Sequence, residues 1–149
     1  MSSMQKTSPS TKEKKPSRSR PFRETRRHHN TEAAEDYTEL IAELIEEKGE
    51  ARTCDIANHL GISHVTAIRT MRRLEQEGFL ETAPHKPVSL TKKGKRTAEL
   101  AKEKHDLLVE FFVSIGVPMA VAEIDVEGVE HHISPETLKA VKNFLKSKR

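Results

Sequence analysis

The chain has 149 residues, 34% hydrophobic and 33% charged, with no Trp and one Tyr, which leaves room for one compact domain or a small domain with a helical extension and excludes a large multidomain enzyme. A core this thin and aliphatic is commonly completed by oligomerisation. The net charge of +3 is uneven, because residues 1–32 carry nine Lys or Arg against three Glu while the rest holds 17 bases against 20 acids. No run approaches the ~18–20 apolar residues of a membrane span, and the polar, basic start lacks a signal-peptide core, so a cytoplasmic protein with no membrane partner is expected.

Residues 1–31 are Ser, Thr, Pro, Lys and Arg with almost no apolar residue, and are expected to be a disordered basic arm that adds phosphate attraction or only solubility. From Glu35 the pattern changes: Tyr37, Leu40, Ile41, Leu44 and Ile45 form the stripe of an amphipathic helix ending near Gly49. A second helix is predicted over 53–60 with Ile56, Ala57 and Leu60 inward, then a Gly61-Ile62 turn, then Ser63 as the cap of a third helix. That helix is predicted to turn Val65, Ile68, Met71 and Leu74 inward and to end at Gly78.

Two short strands around Phe79-Leu80-Glu81 and Val88-Ser89-Leu90-Thr91 follow, then a Lys92-Lys93-Gly94 turn. A long helix is expected over 95–114, and two more over about 119–131 and 134–147. The lone cysteine, Cys54, cannot form an internal disulfide and reads as a small reduced residue at a helix start.

A helix, a tight turn, a second helix with a polar outer face and a hairpin make a winged helix-turn-helix, whose second helix enters the major groove. The residues predicted to meet DNA are Ser63, His64, Thr66, Ala67, Arg69, Thr70 and Arg73, with Lys86 on the wing. Short polar groups can bond base edges, an alanine methyl can pack on thymine, a helix N-terminus can hold phosphate, and Arg or Lys can take phosphate or guanine. Arg72, Lys92 and Lys93 add further positive charge to the same region.

Two groups of acids and histidines stand at opposite ends of the body. Asp36 and Glu39 are i and i+3 on helix one, and Glu127, Glu130 and His131 are i, i+3 and i+4 on a later helix, so each group shares a face. His105 on the long helix supplies a third element. Taken singly, a polar helix end and a satisfied interfacial histidine explain these residues better than a divalent cation does; only the combination on three helices suggests a metal.

With these stretches assembled, the chain resembles the manganese transport regulator (MntR) branch of the diphtheria toxin repressor (DtxR) family over roughly residues 35–145. The resemblance rests on Glu35-Asp36-Tyr37-Thr38-Glu39-Leu40-Ile41, Ile56-Ala57-Asn58-His59-Leu60-Gly61-Ile62-Ser63, Leu90-Thr91-Lys92-Lys93-Gly94-Lys95 and Asp125-Val126-Glu127-Gly128-Val129-Glu130-His131-His132-Ile133-Ser134.

The resemblance implies a mainly α fold, with a winged helix-turn-helix domain over 32–94 and an all-helical metal-binding and dimerisation domain over 95–149. It implies metal ligands at Asp36, Glu39, His105, Glu127, Glu130 and His131, two Mn²⁺ per subunit, and Fe²⁺, Zn²⁺, Cd²⁺ or Co²⁺ able to bind in their place. Carboxylate and imidazole donors without thiolates agree with manganese, although the affinity order alone favours Zn²⁺. The implied activity is a metal-activated homodimer on palindromic double-stranded operator DNA that represses manganese uptake genes, with no small organic ligand. The iron-type relatives carry a further small barrel domain, which this chain is not expected to share.

The homodimer contact is expected from Leu107, Phe111, Phe112, Leu138, Val141 and Phe144, unless these are core of a single chain. Two alternatives for the protein are a winged-helix regulator answering iron or another divalent metal, and a constitutive DNA binder. A metal-dependent hydrolase is disfavoured by the lack of an HExxH or glycine-rich phosphate motif, so the chain is read as not an enzyme.

Overall fold

The computed structural model describes the backbone from residue 19 and the side chains from residue 31, both through residue 149. The elements in order are α1 (Ser19–Lys48), α2 (Thr53–Leu60), α3 (His64–Gln76), β1 (Leu80–Glu81), β2 (Ser89–Leu90), α4 (Lys92–Ser114), α5 (Met119–Val129) and α6 (Pro135–Ser147). Helix α1 therefore begins inside the arm expected to be disordered; once a helix is nucleated, each added residue costs little. The rest of that arm, residues 1–18, lies outside the described residues.

The winged half closes around Ala34, Tyr37, Ile41 and Leu44 of α1, Ile56 of α2, Met71 and Leu74 of α3, and Leu80 and Val88 of the hairpin. Tyr37, Ile41 and Leu44 lie on one side of α1 because the helix turns ~100° per residue. Thr38, fully buried beside them, is satisfied by donating to the Ala34 carbonyl at 2.7 Å. Gly61 takes the left-handed conformation (φ 65°) that joins α2 to α3 so tightly. Ser63 caps α3, its hydroxyl accepting from the Thr66 amide at 3.1 Å.

The hairpin pairs Leu80 with Leu90 and Glu81 with Ser89, antiparallel, and Ala51 adds a bridge to Val88. Glu75 fastens the hairpin to α3 by accepting from both the amide and the hydroxyl of Thr82 at 2.8 Å. The predicted Lys92-Lys93-Gly94 turn is instead the first turn of α4. Thr91 is its cap, accepting from the Gly94 amide at 3.1 Å, and a side chain at Gly94 would run into the Phe79 carbonyl oxygen. Only glycine lets α4 start this close to the hairpin.

The second core lies between α4, α5 and α6, built on Leu108, Val109, Ala122, Val126, Val141 and Leu145. Leu107, Phe111, Phe112, Leu138 and Phe144 pack against it while staying partly exposed, so of the six residues expected at a homodimer contact only Val141 is buried within the chain. Phe111 and Phe144 meet edge to face with centroids 5.5 Å apart. Large apolar side chains stay exposed at Leu100, Val113 and Ile115 along and just after α4, and at Met119, Val121, Ile124 and Val129 on α5, Ile124 to 75%.

Candidate metal centre and nucleic-acid interface

The acids and histidines meet where α1 crosses α4 and the end of α5. Asp36 and Glu39 come from α1, His105 from α4 and Glu127 from α5. Glu130 and His131 were expected on one helix with Glu127, but α5 ends at Val129 and Glu130 is its C-cap. The chain turns here toward Ser134, the cap of α6, and the turn carries both side chains inward. Glu130 is 1% exposed and His131 is also buried.

His105 Nδ1 lies 2.7 Å from Glu130 Oε2 and 3.9 Å from Glu127 Oε1. His131 Nε2 lies 2.9 Å from Asp36 Oδ1 and 3.4 Å from Glu130 Oε1, so Glu130 stands between the two imidazoles. Glu39 completes the group, near enough to Glu130, Glu127 and His105 for their charges to act on it. Close contacts thus join five of the six sequence-predicted residues, Asp36, His105, Glu127, Glu130 and His131, while Glu39 is linked to them by charge alone.

Three further acids were missed. Glu35 Oε2 is 3.1 Å from His131 Nδ1, and Glu123 Oε2 is 3.1 Å from His105 Nε2. Glu32, one turn before Asp36, can bring a carboxylate oxygen within 4.8 Å of ligand atoms of Asp36 and His131. Glu32 and Asp36 have an i, i+4 spacing that a sequence reading could have flagged.

The electrostatics fit a cation. Burial, together with the charges of Glu130, Glu43 and Glu127, pushes the Glu39 carboxyl up to about 7. Burial also raises Glu130, although His105 pulls the other way. Burial would lower His131, but hydrogen bonds to Asp36 and Glu35 outweigh it and lift the imidazole to about 10. His105 is raised likewise, the bonds to Glu123 and Glu130 overcoming burial. Protons are thus partial substitutes for a positive charge that enclosed carboxylates require. Carboxylate and imidazole donors suit a hard or borderline divalent ion.

On α3 the predicted DNA face needs one correction. Ala67 is fully buried and packs inward with Met71 and Leu74, whereas Val65, expected inside, is 65% exposed. Residues 65 and 74 are about 180° apart around the axis, but 67 and 74 only about 20°, so the repeated i+3 step drifts off the core face. Ser63, His64, Thr66, Arg69 and Arg73 are exposed as expected, and Thr70 is half-buried. Val65, Arg69, Arg72, Arg73 and Gln76 border one open concavity, so Val65 and Arg72 belong to the outward surface. Lys86 is exposed at the wing tip beside His85, which has a positive φ of 61°. Lys93 folds back, donating to the Glu77 carbonyl at 2.7 Å with its ammonium over the Phe79 ring.

Comparison with known proteins agrees with both halves. Residues 29–88 match the iron dependent repressor N-terminal DNA binding domain, and residues 91–148 match the iron dependent repressor metal binding and dimerisation domain. The transcriptional regulator MntR of Escherichia coli O157:H7 is 42% identical over 123 residues, covering 83% of this chain and 79% of that protein. MntR of Salmonella typhimurium is also 42% identical, covering 83% and 78%.

Among solved structures, a manganese-dependent transcriptional repressor in complex with manganese superposes with a TM-score of 0.68 at 28% identity, over 76% of this chain and 52% of that one. IdeR of T. acidophilum gives 0.64 at 25% identity, over 75% and 53%. The chain therefore spans about half the length of these two structures. With two consecutive family domains and this identity to its relatives, the chain belongs to the MntR branch of the diphtheria toxin repressor family of metal-dependent transcriptional regulators, and is not an enzyme.

Proposed function

We propose that the protein is a manganese-responsive repressor that binds palindromic operator DNA as a homodimer, holding two Mn²⁺ per subunit on Asp36, Glu39, His105, Glu127, Glu130 and His131. The observation that carries this reading is the meeting of two imidazoles with Asp36, Glu127 and the buried Glu130, from α1, α4 and the end of α5. The names of the relatives, MntR and a manganese-dependent repressor, favour manganese over iron.

Helix α1 joins the site to the winged half: its inward side chains enter that core, and Asp36 and Glu39 reach toward the helical half. Glu127, Glu130 and His131 belong to the helical half. Mutual repulsion among these neighbouring acids spreads the orientations that the two halves can take, and its neutralisation favours one of them. A bound divalent cation supplies that neutralising charge together with several coordination positions. In a two-fold dimer a fixed orientation places both α3 helices at major grooves ~34 Å apart. By linkage, operator DNA tightens metal binding by the same factor.

For DNA we assign Ser63, His64, Thr66, Arg69, Thr70, Arg73 and Lys86, with Val65 and Arg72 in place of Ala67. Ser63 already bonds the Thr66 hydroxyl at 2.8 Å, so these two act as one cap that stiffens the helix start. The dimer contact we assign to Val121 and Ile124, exposed apolar residues on the outer side of α5. The proposed division into a winged half (32–94) and a helical half (95–149) passes through the first turn of α4. Among the described residues no helix is long and apolar enough to cross a membrane, and to a regulator acting on DNA we assign a cytoplasmic location.

The test is fluorescence anisotropy of a labelled palindromic operator titrated with protein under chelator, Mn²⁺, anaerobic Fe²⁺ or Zn²⁺, beside Glu130→Ala/His131→Ala. Tightening by tenfold or more with Mn²⁺, about 1.4 kcal/mol of coupling, is expected, and the variant loses it. Equal affinity with and without chelator removes the sensing role.

A further inference from the structure

Each imidazole of the proposed centre has one nitrogen facing the ligand cluster and the other facing a carboxylate outside it. For His105, Nδ1 faces Glu130 and Glu127, and Nε2 faces Glu123 at 3.1 Å. For His131, Nε2 faces Asp36 and Glu130, and Nδ1 faces Glu35 at 3.1 Å. An imidazole that ligates through one nitrogen must keep its proton on the other. A carboxylate accepting that proton fixes the tautomer, orients the ring and raises the basicity of the ligating nitrogen.

The two outer carboxylates are not equivalent. Glu123 stands on α5 with its side chain 53% exposed. Glu35 is largely enclosed, and Lys104 Nζ donates to both of its oxygens, at 2.8 and 3.1 Å. The arrangement comes from neighbouring residues on two helices. Glu35 and Asp36 are consecutive on α1 and bracket the His131 ring from its two nitrogens; Lys104 and His105 are consecutive on α4, one holding Glu35 and the other approaching Glu130.

We propose that Glu35, clamped by Lys104, is the positioning residue of the metal centre: it accepts the Nδ1 proton of His131 and so presents Nε2 to the ion beside Asp36 and Glu130. Glu123 plays the corresponding part for His105 more weakly, because water competes for an exposed carboxylate. This inference rests on the metal reading above.

The test measures Mn²⁺ binding to the full chain from the loss of the free-ion EPR signal, for wild type, Glu35→Gln, Glu35→Asp and Glu123→Gln, with chelated protein checked by circular dichroism. Glu35→Gln is expected to weaken Mn²⁺ binding by roughly 10–100-fold while the chelated fold persists, with Glu35→Asp recovering part of the loss and Glu123→Gln losing less. In long-range ¹H–¹⁵N spectra of Cd²⁺-loaded wild type, His131 is expected to keep its proton on Nδ1 and its ion on Nε2. Wild-type affinity in Glu35→Gln, or an ion on Nδ1, overturns the role of Glu35 and leaves the metal reading intact. Failure of the wild type itself to bind Mn²⁺ overturns both.

Discussion

The two halves of the chain satisfy their apolar residues differently. In the winged half, α1, α2, α3 and the hairpin turn their large side chains onto one core and show solvent mostly charged and polar residues. In the helical half, α4, α5 and α6 also share a core, yet Val121 and Ile124 on α5 and Leu100 on α4 stay exposed. A small unit of three helices has too little interior to bury every apolar side chain it carries. The first half is thus the more complete as a fold, whereas the second leaves apolar surface for the dimer contact proposed above.

That contrast can be broken most forcefully at Leu74, which is fully buried in the winged core. Leu74→Ala is expected to cost about 2–5 kcal/mol of stability, read by denaturant unfolding, with no change in dimer mass by ultracentrifugation. Ile124→Glu is expected to do the reverse, leaving the monomer fold intact while a charge in the α5 contact abolishes the dimer and lowers operator affinity by about 100-fold, or ~2.7 kcal/mol. A dimeric Ile124→Glu protein at working concentration would move the contact elsewhere. A smaller effect is expected at the α3 cap, where Ser63→Ala should cost about 1 kcal/mol, visible as a lowered Tm.

A pH dependence belongs to the junction between the halves. His131, lifted to about 10 in the folded chain, contributes stability that is complete below its ordinary 6.5 and is lost as pH rises toward 10. Glu39, lifted to about 7, is protonated in the folded chain where the unfolded chain has already lost the proton, so stability also falls as pH rises from its ordinary 4.5 through 7. Both act in one direction, and the Tm of chelated protein is expected to decline from pH 5 to pH 9. Metal must displace these protons, so Mn²⁺ affinity is expected to rise across the same interval. A chelated Tm that climbs over that range would show that the imidazolium does not bridge the acids in solution.

Local signals were readable where one element contains its own cause. The spacing of Tyr37, Ile41 and Leu44, Gly61 before a capping Ser63, and the paired runs about Leu80 and Leu90 each specify their element. Errors arose where a neighbour decides. Ala67 and Val65 exchange places because a run of i+3 steps leaves the core face after two turns, and a small alanine gives a weaker hydrophobic signal than valine. The start of α4 depends on Gly94 meeting Phe79, a contact between separate elements. The exposed apolar residues of α5 and the buried ones of α4 look alike in composition, so the sequence left the homodimer face open. Within the candidate site, the six proposed ligands were legible through short spacings and family resemblance. Glu35 and Glu123 were not, because their histidines lie 96 and 18 residues away in the chain.

Helix α1 interleaves two sets of residues within a few turns: Asp36 and Glu39 go to the proposed metal centre, while Tyr37, Ile41 and Leu44 go to the winged core. Exchange of segments between relatives at the boundary near residues 88–91 would therefore not produce a clean module swap. A transplanted winged half would bring its own operator preference and also a share of the ion's coordination shell. Recombination can succeed there only between parents whose two portions of that shell match, so inheritance of sensor and reader is tied together along one helix.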